Sequence, residues 1–209
     1  MGFYPIFLDL SGRRCVVIGG GPVAERRVEG LLASGADLTL ISPMVTDRLK
    51  KLAAQGAIRH LERAYEPGDL AGYELVFVAT DDGAVNHAVF SEARSRAIWV
   101  NSADDPANCD FILPAAIRRG DLSVAISTGG ASPAATRMIR EELEKYFTAD
   151  YARLVQIAGE VRRSLREKSI VASARAWNEA LNGEFRRLVK EDETVRAKEL
   201  LLKTLGADS

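Results

Sequence analysis

Short apolar runs alternate with helical periodicities over residues 1–100. The runs at residues 15–18 and 75–79 are apolar throughout and rich in β-branched side chains, which is typical of strands buried on both faces. Five such runs predict strands at residues 15–18, 38–41, 58–61, 75–79 and 98–100, and the intervening periodicities predict helices at residues 22–34, 46–54 and 85–97. Strands separated by helices form right-handed βαβ units. The pattern therefore predicts an α/β fold, a Rossmann-like parallel sheet with helices on both faces.

The pattern changes after Val100. Two strand-like runs, at residues 111–117 and 122–127, flank residues 118–121, which predicts a hairpin with a tight turn. Ser132 and Pro133 are residue types preferred at a helix N-cap and at the first helical position, so a helix is expected from there to Phe147. Two further helical stripes follow, from Tyr151 and from Phe185. We therefore predict three parts, with boundaries at residues 1–113, 114–148 and 149–209.

Composition excludes several classes of protein. The chain has 209 residues, with 28 Lys and Arg against 29 Asp and Glu, whereas proteins that coat nucleic acid or anionic membranes need a strong basic excess. Two cysteines and two histidines do not assemble a convincing zinc site. No apolar run is long enough to span a membrane, and no secretory signal is visible. We therefore expect a cytoplasmic protein with no metal site and with neither nucleic acid nor membrane as a partner.

A glycine-rich motif follows the first predicted strand. Residues 19–24 match G-x-G-x-x-A and open the first predicted helix, which is the context of a dinucleotide-binding turn. Glycines let backbone N–H groups approach a pyrophosphate, and the positive end of the helix attracts its charge. This motif predicts cofactor contacts from Gly19, Gly21, Pro22 and Val23. The alternative interpretation is a glycine-rich turn without a ligand.

The acidic residue that usually binds the adenosine ribose is missing. An Asp or Glu is expected about 20 residues beyond the glycines, at the end of the second strand, but Ser42, Pro43 and Met44 occupy that place. We expect ribose contacts from Ser42 or from backbone groups of these residues. The residues alone leave the choice between NAD and NADP open.

Polar residues follow two further predicted strands, at the carboxyl edge where open α/β sheets bind ligands. Thr80 and Asp81 follow the fourth strand and are predicted to contact the cofactor, although the cluster of residues 80–82 is equally consistent with a helix N-cap. Asn101 and Asp104 follow the fifth strand. A carboxylate there could act as a general base, but an Asx turn or a solvated loop is the simpler interpretation of the residues alone.

Six ordered motifs together resemble the precorrin-2 dehydrogenase/sirohydrochlorin ferrochelatase family, the dehydrogenase module of sirohaem synthesis. Each motif is short, but their order and spacing are specific. They are residues 5–8 (Pro-Ile-Phe-Leu), 19–26 (the glycine motif with Glu-Arg), 79–82 (Ala-Thr-Asp-Asp), Asn101 with Asp104, 111–115 (Phe-Ile-Leu-Pro-Ala) and 127–133 (Ser-Thr-Gly-Gly-Ala-Ser-Pro).

The resemblance implies a function and a set of roles. It implies oxidation of precorrin-2 to sirohydrochlorin with NAD⁺ as hydride acceptor, Fe²⁺ insertion as a second activity of many members, and a homodimer joined through residues 114–148. It implies that Asp104 is the base of both steps. Substrate contacts are assigned to Asn101 and to Thr128, where some members have serine. Apart from the resemblance, three arginines near the hairpin and the next helix have two interpretations, ordinary solvated charge or recognition of a polycarboxylate ligand by guanidinium groups: Arg118, Arg119 and Arg137.

Two other functions remain open on the sequence alone. A non-catalytic nucleotide-sensing module would have a similar glycine motif but would not need Asp104. A dehydrogenase for an unrelated small substrate would need a compact pocket. The resemblance implies that some members of the family also carry a methyltransferase domain. Because the chain ends at Ser209, we expect no such domain here, and we expect precorrin-2 to come from another protein.

Overall fold

The structure, a computed structural model, describes residues 2–103, 105 and 108–207. The chain divides into two compact units, the first ending at Leu113 and the second beginning at Pro114. Within the described part of the chain, every helix is too short or too polar to cross a lipid bilayer.

The first unit is a five-stranded sheet in which all neighbouring strands run parallel, in the order β3-β2-β1-β4-β5. Its strands are β1 (Arg14–Ile18), β2 (Asp37–Ile41), β3 (Arg59–Leu61), β4 (Leu75–Val78) and β5 (Trp99–Ser102). Its helices are α1 (Pro22–Leu32), α2 (Asp47–Ala54) and α3 (Gly83–Ser95). The predicted α/β fold with a Rossmann-like parallel sheet is confirmed.

Alternate strand residues build two separate cores, because successive side chains of a strand point to opposite faces. Cys15 and Val17 of β1 pack in one apolar cluster with residues of α1 and α2. Val16 and Ile18 pack in the other with residues of α3. Strands buried on both faces need apolar residues at every position, which explains the continuous runs in the sequence.

Over residues 114–207, the second unit combines a hairpin with five helices. Strands β6 (Ala115–Arg119) and β7 (Leu122–Ile126) pair antiparallel, and Gly120 turns the chain with a φ of +56°. The helices are α4 (Pro133–Tyr146), α5 (Asp150–Glu167), α6 (Ala174–Ala180), α7 (Glu184–Lys190) and α8 (Thr194–Thr204). The predicted stripes of α5 and α7 supply buried residues such as Val161 and Phe185 to one core with α8.

Several predicted boundaries were wrong. The strand expected at residues 111–117 begins only at Ala115, because Phe111 belongs to the core of the first unit, with its ring edge-on to Phe77 at 5.6 Å. The helix expected around residues 85–97, after an N-cap cluster that placed its start near Gly83, begins at Gly83, and the fifth strand extends to Ser102. Helices α6 and α8 were not predicted, although Ser173 caps α6 and Ala197 and Leu201 repeat at helical spacing in α8.

Candidate functional site

Three loops meet at the carboxyl edge of the sheet around the glycine turn, which joins β1 to α1. Strand β1 lies between β2 and β4, so the strand order reverses between β1 and β4, the place where open sheets bind dinucleotides. Gly19 has a φ of +111°, and a Cβ there would lie 2.1 Å from the Ala79 carbonyl oxygen after β4. A Cβ on Gly20 would lie 2.0 Å from the Met44 carbonyl oxygen after β2. Only glycine permits this packing.

Helix α1 begins without a cap. Gly21 is its N-cap and carries no side chain to accept the first N–H groups, and Pro22 at the first helical position has no N–H. A Cβ on Gly21 would meet no atom of the structure within 4 Å, so space lies open in front of the helix end. The positive end of the helix dipole and free N–H groups attract an anion there. The turn therefore fits the pyrophosphate of a dinucleotide, and it contains all four predicted contacts: Gly19, Gly21, Pro22 and Val23.

The loop after β2 lies beside this turn. Ser42 is buried, and its hydroxyl donates to the Met44 carbonyl oxygen over 2.6 Å. The Ser42 carbonyl oxygen is 2.9 Å from Nε2 of His60 on β3. Pro43 and Met44 are exposed. We call residues 42–45 the ribose loop, because the residues after β2 contact the adenosine ribose in this fold.

The turn after β4 is held by its own side chains. The Asp82 Oδ1 accepts hydrogen bonds from the N–H groups of Ala84 (2.9 Å) and Val85 (3.2 Å), which confirms the N-cap interpretation for Asp82. The Thr80 hydroxyl oxygen accepts the Asp82 N–H at 3.0 Å, and the Asn86 amide donates to the Thr80 carbonyl oxygen at 3.0 Å. Asp81 is exposed on the same turn, and its predicted cofactor contact stays a prediction.

Asn101 is buried and holds the segment after β5 in place by a hydrogen bond. Its amide donates to the Phe111 carbonyl oxygen at 2.9 Å, so the segment after β5 folds back on the strand. Cys109 holds the same segment in place, because its sulfur accepts the Ser102 N–H at 3.2 Å. Asn101 therefore lies neither in an Asx turn nor in a solvated loop, and its predicted substrate contact stays a prediction. The proposed base, Asp104, lies outside the described residues. Its neighbour Ala103 donates its N–H to the Val78 carbonyl oxygen at 3.0 Å.

Both cysteines favour the neutral thiol. Burial, reinforced by the nearby Glu74 and Asp37 carboxylates, raises the pKa of the Cys15 thiol to about 11. Burial also raises the pKa of Cys109, with further contributions from Asp105 and Asp110, against the opposing Ser102 N–H. Within the described residues, no three His, Cys, Asp or Glu side chains are grouped closely enough to hold a metal ion.

The predicted substrate residues of the second unit do not form one cluster. Arg118 and Arg119 end β6, and the Arg119 Nε donates to the Phe147 carbonyl oxygen at 2.8 Å. Thr128 follows β7, whose last residue pairs with the first residue of β6, so Thr128 lies at the opposite end of the hairpin. Its hydroxyl oxygen accepts the Ser132 N–H at 3.1 Å, at the start of α4. Arg137 is exposed on α4.

Sequence reasoning missed two contributors to the glycine turn. Gly20 was not named as a site residue, although its missing side chain lets the ribose loop approach; three consecutive glycines were the available signal. Glu25 was also missed: its carboxylate accepts the Thr46 hydroxyl at 2.5 Å, which ties α1 to the start of α2. Thr46 itself caps α2 as predicted, with its hydroxyl oxygen accepting the Leu49 N–H.

Two family models match the chain. Residues 6–115 match a family described as "Putative NAD(P)-binding", and residues 119–146 match one described as "Sirohaem biosynthesis protein central". The first match covers the whole sheet and the glycine turn. The second covers the turn and the second strand of the hairpin, and all of α4.

Relatives of known name agree with these models. The chain is 41% identical over 181 residues to a siroheme synthase of Methylobacillus flagellatus and 37% identical over 203 residues to siroheme synthase 1 of Serratia proteamaculans. These matches cover 86% and 96% of the chain but only 39% and 43% of the relatives, so the chain spans about two fifths of their length.

A solved structure matches over nearly the full length of both chains. It is SirC, a precorrin-2 dehydrogenase, with 33% identity, a TM-score of 0.76 and coverage of 94% of this chain and 99% of that one. The sheet order, the uncapped glycine turn and these similarities have one explanation. The chain belongs to the precorrin-2 dehydrogenase family, which the resemblance of its motifs predicted.

Proposed function

We propose that the protein oxidises precorrin-2 to sirohydrochlorin with NAD⁺ as the hydride acceptor. The observation that carries the proposal is the near full-length similarity to the precorrin-2 dehydrogenase SirC, at 33% identity. The glycine turn at the sheet's switch point supports it independently, because an uncapped helix N-terminus suits the cofactor's pyrophosphate.

The reaction removes a hydride and a proton from precorrin-2. NAD⁺ supplies the hydride acceptor when it is bound. The protein's own contribution is to hold the pyrophosphate at Gly19–Gly21, to contact the ribose through the ribose loop, and to accept the proton. We assign that proton to the carboxylate of Asp104. Thr80 and Asp81 lie beside the cofactor in this proposal. Asn101 holds the segment after β5, which carries Asp104, through its hydrogen bond to the Phe111 carbonyl oxygen.

The decisive assay combines purified protein, precorrin-2 and NAD⁺. We expect NADH to form, measured by its absorbance, together with sirohydrochlorin, measured by its spectrum, in equal amounts. A control without precorrin-2 should give no NADH. Absence of turnover with active precorrin-2 and bound NAD⁺ would contradict the proposal.

The role of Asp104 has a matched control in the neighbouring residue. Asp104→Asn should lower kcat by roughly 100-fold or more, since a positioned base contributes about that much, while NAD⁺ affinity stays unchanged. Asp105→Asn removes a carboxylate whose oxygen accepts the Asn108 amide at 2.5 Å. It should retain most activity. Equal kinetics for both variants would remove Asp104 from the mechanism.

We propose Fe²⁺ insertion as a second activity, since the relatives are named siroheme synthases. Here Fe²⁺ is a substrate rather than a resident cofactor. A carboxylate near the macrocycle would accept the two pyrrole N–H protons that the metal replaces one after the other, releasing each to water. Addition of Fe²⁺ or Co²⁺ to sirohydrochlorin with the protein should accelerate the spectral change of the metallated product. A rate equal to the protein-free rate would confine the protein to dehydrogenation.

We also propose that residues 114–148 join two copies of the chain. In the sequence this region follows a cofactor domain (1–113) and precedes a helical domain (149–209). No side chain of helix α4 is fully buried, and Met138 and Tyr146 are 54% and 63% exposed. A homodimer would cover such apolar surface. Light scattering on the purified protein should give the dimer mass.

We place the protein in the cytoplasm, where NAD⁺ is available.

A further inference from the structure

We propose that Cys109 is a positioning residue for the oxidation step: its thiol closes the loop of residues 103–108 and so fixes the place from which Asp104 accepts a proton. The inference rests on the proposed function, because it concerns how the base of that reaction is held. Cys109 is assigned no contact of its own with substrate or cofactor.

The Cys109 thiol bonds to the main chain on both sides of Asp104. On the side of β5, its sulfur accepts the Ser102 N–H at 3.2 Å. On the other side, the sulfur lies 3.3 Å from the Asp105 carbonyl oxygen, an acceptor for the thiol proton. The Ser102 carbonyl oxygen, also at 3.3 Å, is the alternative acceptor. One side chain therefore ties the residue two positions before the proposed base to the residue directly after it.

Strand β5 is an edge strand, and two consecutive side chains cover its outward N–H groups. The Val100 N–H donates to the Asp110 Oδ2 at 2.9 Å, and the Ser102 N–H donates to Cys109. The Asp110 N–H donates back to the Val100 carbonyl oxygen at 2.8 Å. The Asp110 Oδ1 also pairs with Arg94 of α3 at 2.7 Å. Asp110 thus fixes the point of the chain from which the Cys109 side chain reaches the loop.

The Cys109 thiol keeps its proton at neutral pH. Burial raises the pKa of Cys109, against the opposing Ser102 N–H. The Asp105 and Asp110 carboxylates raise this pKa further. The neutral thiol has both a donor and an acceptor, as a serine hydroxyl has and an alanine methyl group has not. Because the Asn108 N–H also donates to the Asp105 carbonyl oxygen, at 3.1 Å, loss of the thiol should loosen the Ser102 side of the loop most.

Turnover and amide hydrogen exchange of the full chain test the role of the thiol. Cys109→Ala should lower kcat about tenfold, because a displaced base transfers protons poorly. The KM for precorrin-2 and the dissociation constant of NAD⁺ should stay within about twofold of the wild type. The Ser102 amide, followed by NMR, should exchange about tenfold faster in this variant. Cys109→Ser keeps a donor and an acceptor and should restore kcat to within about threefold of the wild type.

Cys15→Ala is the matched control, because Cys15 is the other thiol of the chain and lies in the sheet core, near the amino end of β1. It should lower the urea midpoint and leave both kcat and the Ser102 exchange rate unchanged.

The possible failures of this inference and of the proposed function are distinct. An active wild type whose Cys109→Ala variant keeps its kcat, or keeps the wild-type exchange rate at Ser102, would overturn the inference and leave the proposed function standing. A loss of kcat that Cys109→Ser does not restore would also overturn it, since hydrogen bonding would then not be the cause. Absence of turnover by the wild type would refute the proposed function, and this inference with it.

Discussion

Two neighbouring turns of the sheet treat the start of a helix in opposite ways. Strands β1 and β4 are adjacent and parallel, and each leads into a helix at the same edge. After β4, Asp82 accepts the first N–H groups of α3. After β1, the N-cap of α1 is Gly21, which has no side chain to do so. Uncapped helix ends cost stability. The difference marks the turn after β1 as the one whose N–H groups are left for a ligand.

The two turns are also locked together. Gly19 packs so closely against the Ala79 carbonyl group that a Cβ at residue 19 would overlap the carbonyl oxygen. The capped turn thereby supports the uncapped one, as a preorganised anion site requires. Substitutions in either turn test this division of roles.

The largest effect is expected for Gly19→Ala. A Cβ there would lie 2.1 Å from the Ala79 carbonyl oxygen, and the φ of +111° is unfavourable for any L side chain. The two turns would have to separate, and we expect unfolding free energy to fall by about 3 kcal/mol or more. Urea denaturation measures it. Gly21→Ala, at a φ of −80° and in open space, is the control and should cost about 0.5 kcal/mol or less. Similar losses of unfolding free energy in both variants would contradict the close packing of the two turns.

Gly21→Asp would convert the uncapped turn into a copy of the capped one. The carboxylate would accept the first N–H groups of α1 and occupy the space open to the pyrophosphate. NAD⁺ affinity should fall by about 30-fold, while stability is unchanged or slightly increased. Calorimetric titration and urea denaturation of the same sample measure both. Gly21→Ser, which caps without charge, should lose less affinity than Gly21→Asp. An Asp variant that binds NAD⁺ normally would show that the pyrophosphate does not use this helix end.

The same comparison shows why one turn was more predictable than the other. Glycines at fixed spacing after a buried strand mark positions where the backbone needs a positive φ or a close approach that a Cβ would prevent, so the glycine turn follows from the sequence. Thr80, Asp81 and Asp82 can each cap a helix, and only the path of the chain selects Asp82. The sequence therefore indicated a helix start near Gly83, where α3 begins, without selecting the capping residue.

Long-range partners explain the other failures. Phe111 has the β-propensity of a strand residue, but it packs on Phe77, a contact that local pattern does not encode. Asn101 looked like turn chemistry because its acceptor, the Phe111 carbonyl group, becomes available only when the segment folds back. The fold class followed from periodicity, whereas contacts of this kind did not.

A moderate effect is expected for Asp82→Ala. The variant removes the acceptor of two N–H groups at the start of α3 and should lower the unfolding free energy by about 1 kcal/mol. Asp82→Asn keeps a capping oxygen and should recover most of the loss. NAD⁺ affinity should change little if the capped turn only supports its neighbour. A loss of affinity in Asp82→Ala that Asp82→Asn does not restore would instead make the carboxylate a direct ligand, and the contrast between the two turns would disappear.

The smallest effect is expected for Thr80→Val, which keeps the shape of the side chain and removes its hydroxyl. The lost bond is the one between the Thr80 oxygen and the Asp82 N–H, at 3.0 Å. Because the Asp82 N–H is exposed enough to bond water instead, the loss should be only about 0.5 kcal/mol. We expect NAD⁺ affinity to fall by less than about threefold, because the Thr80 hydroxyl is used within the turn and the proposed place of Thr80 beside the cofactor does not need it. A drop of tenfold or more in affinity, about 1.4 kcal/mol, with the same urea midpoint would mean that the Thr80 hydroxyl itself binds the cofactor. The turn after β4 would then be a ligand-binding turn in its own right.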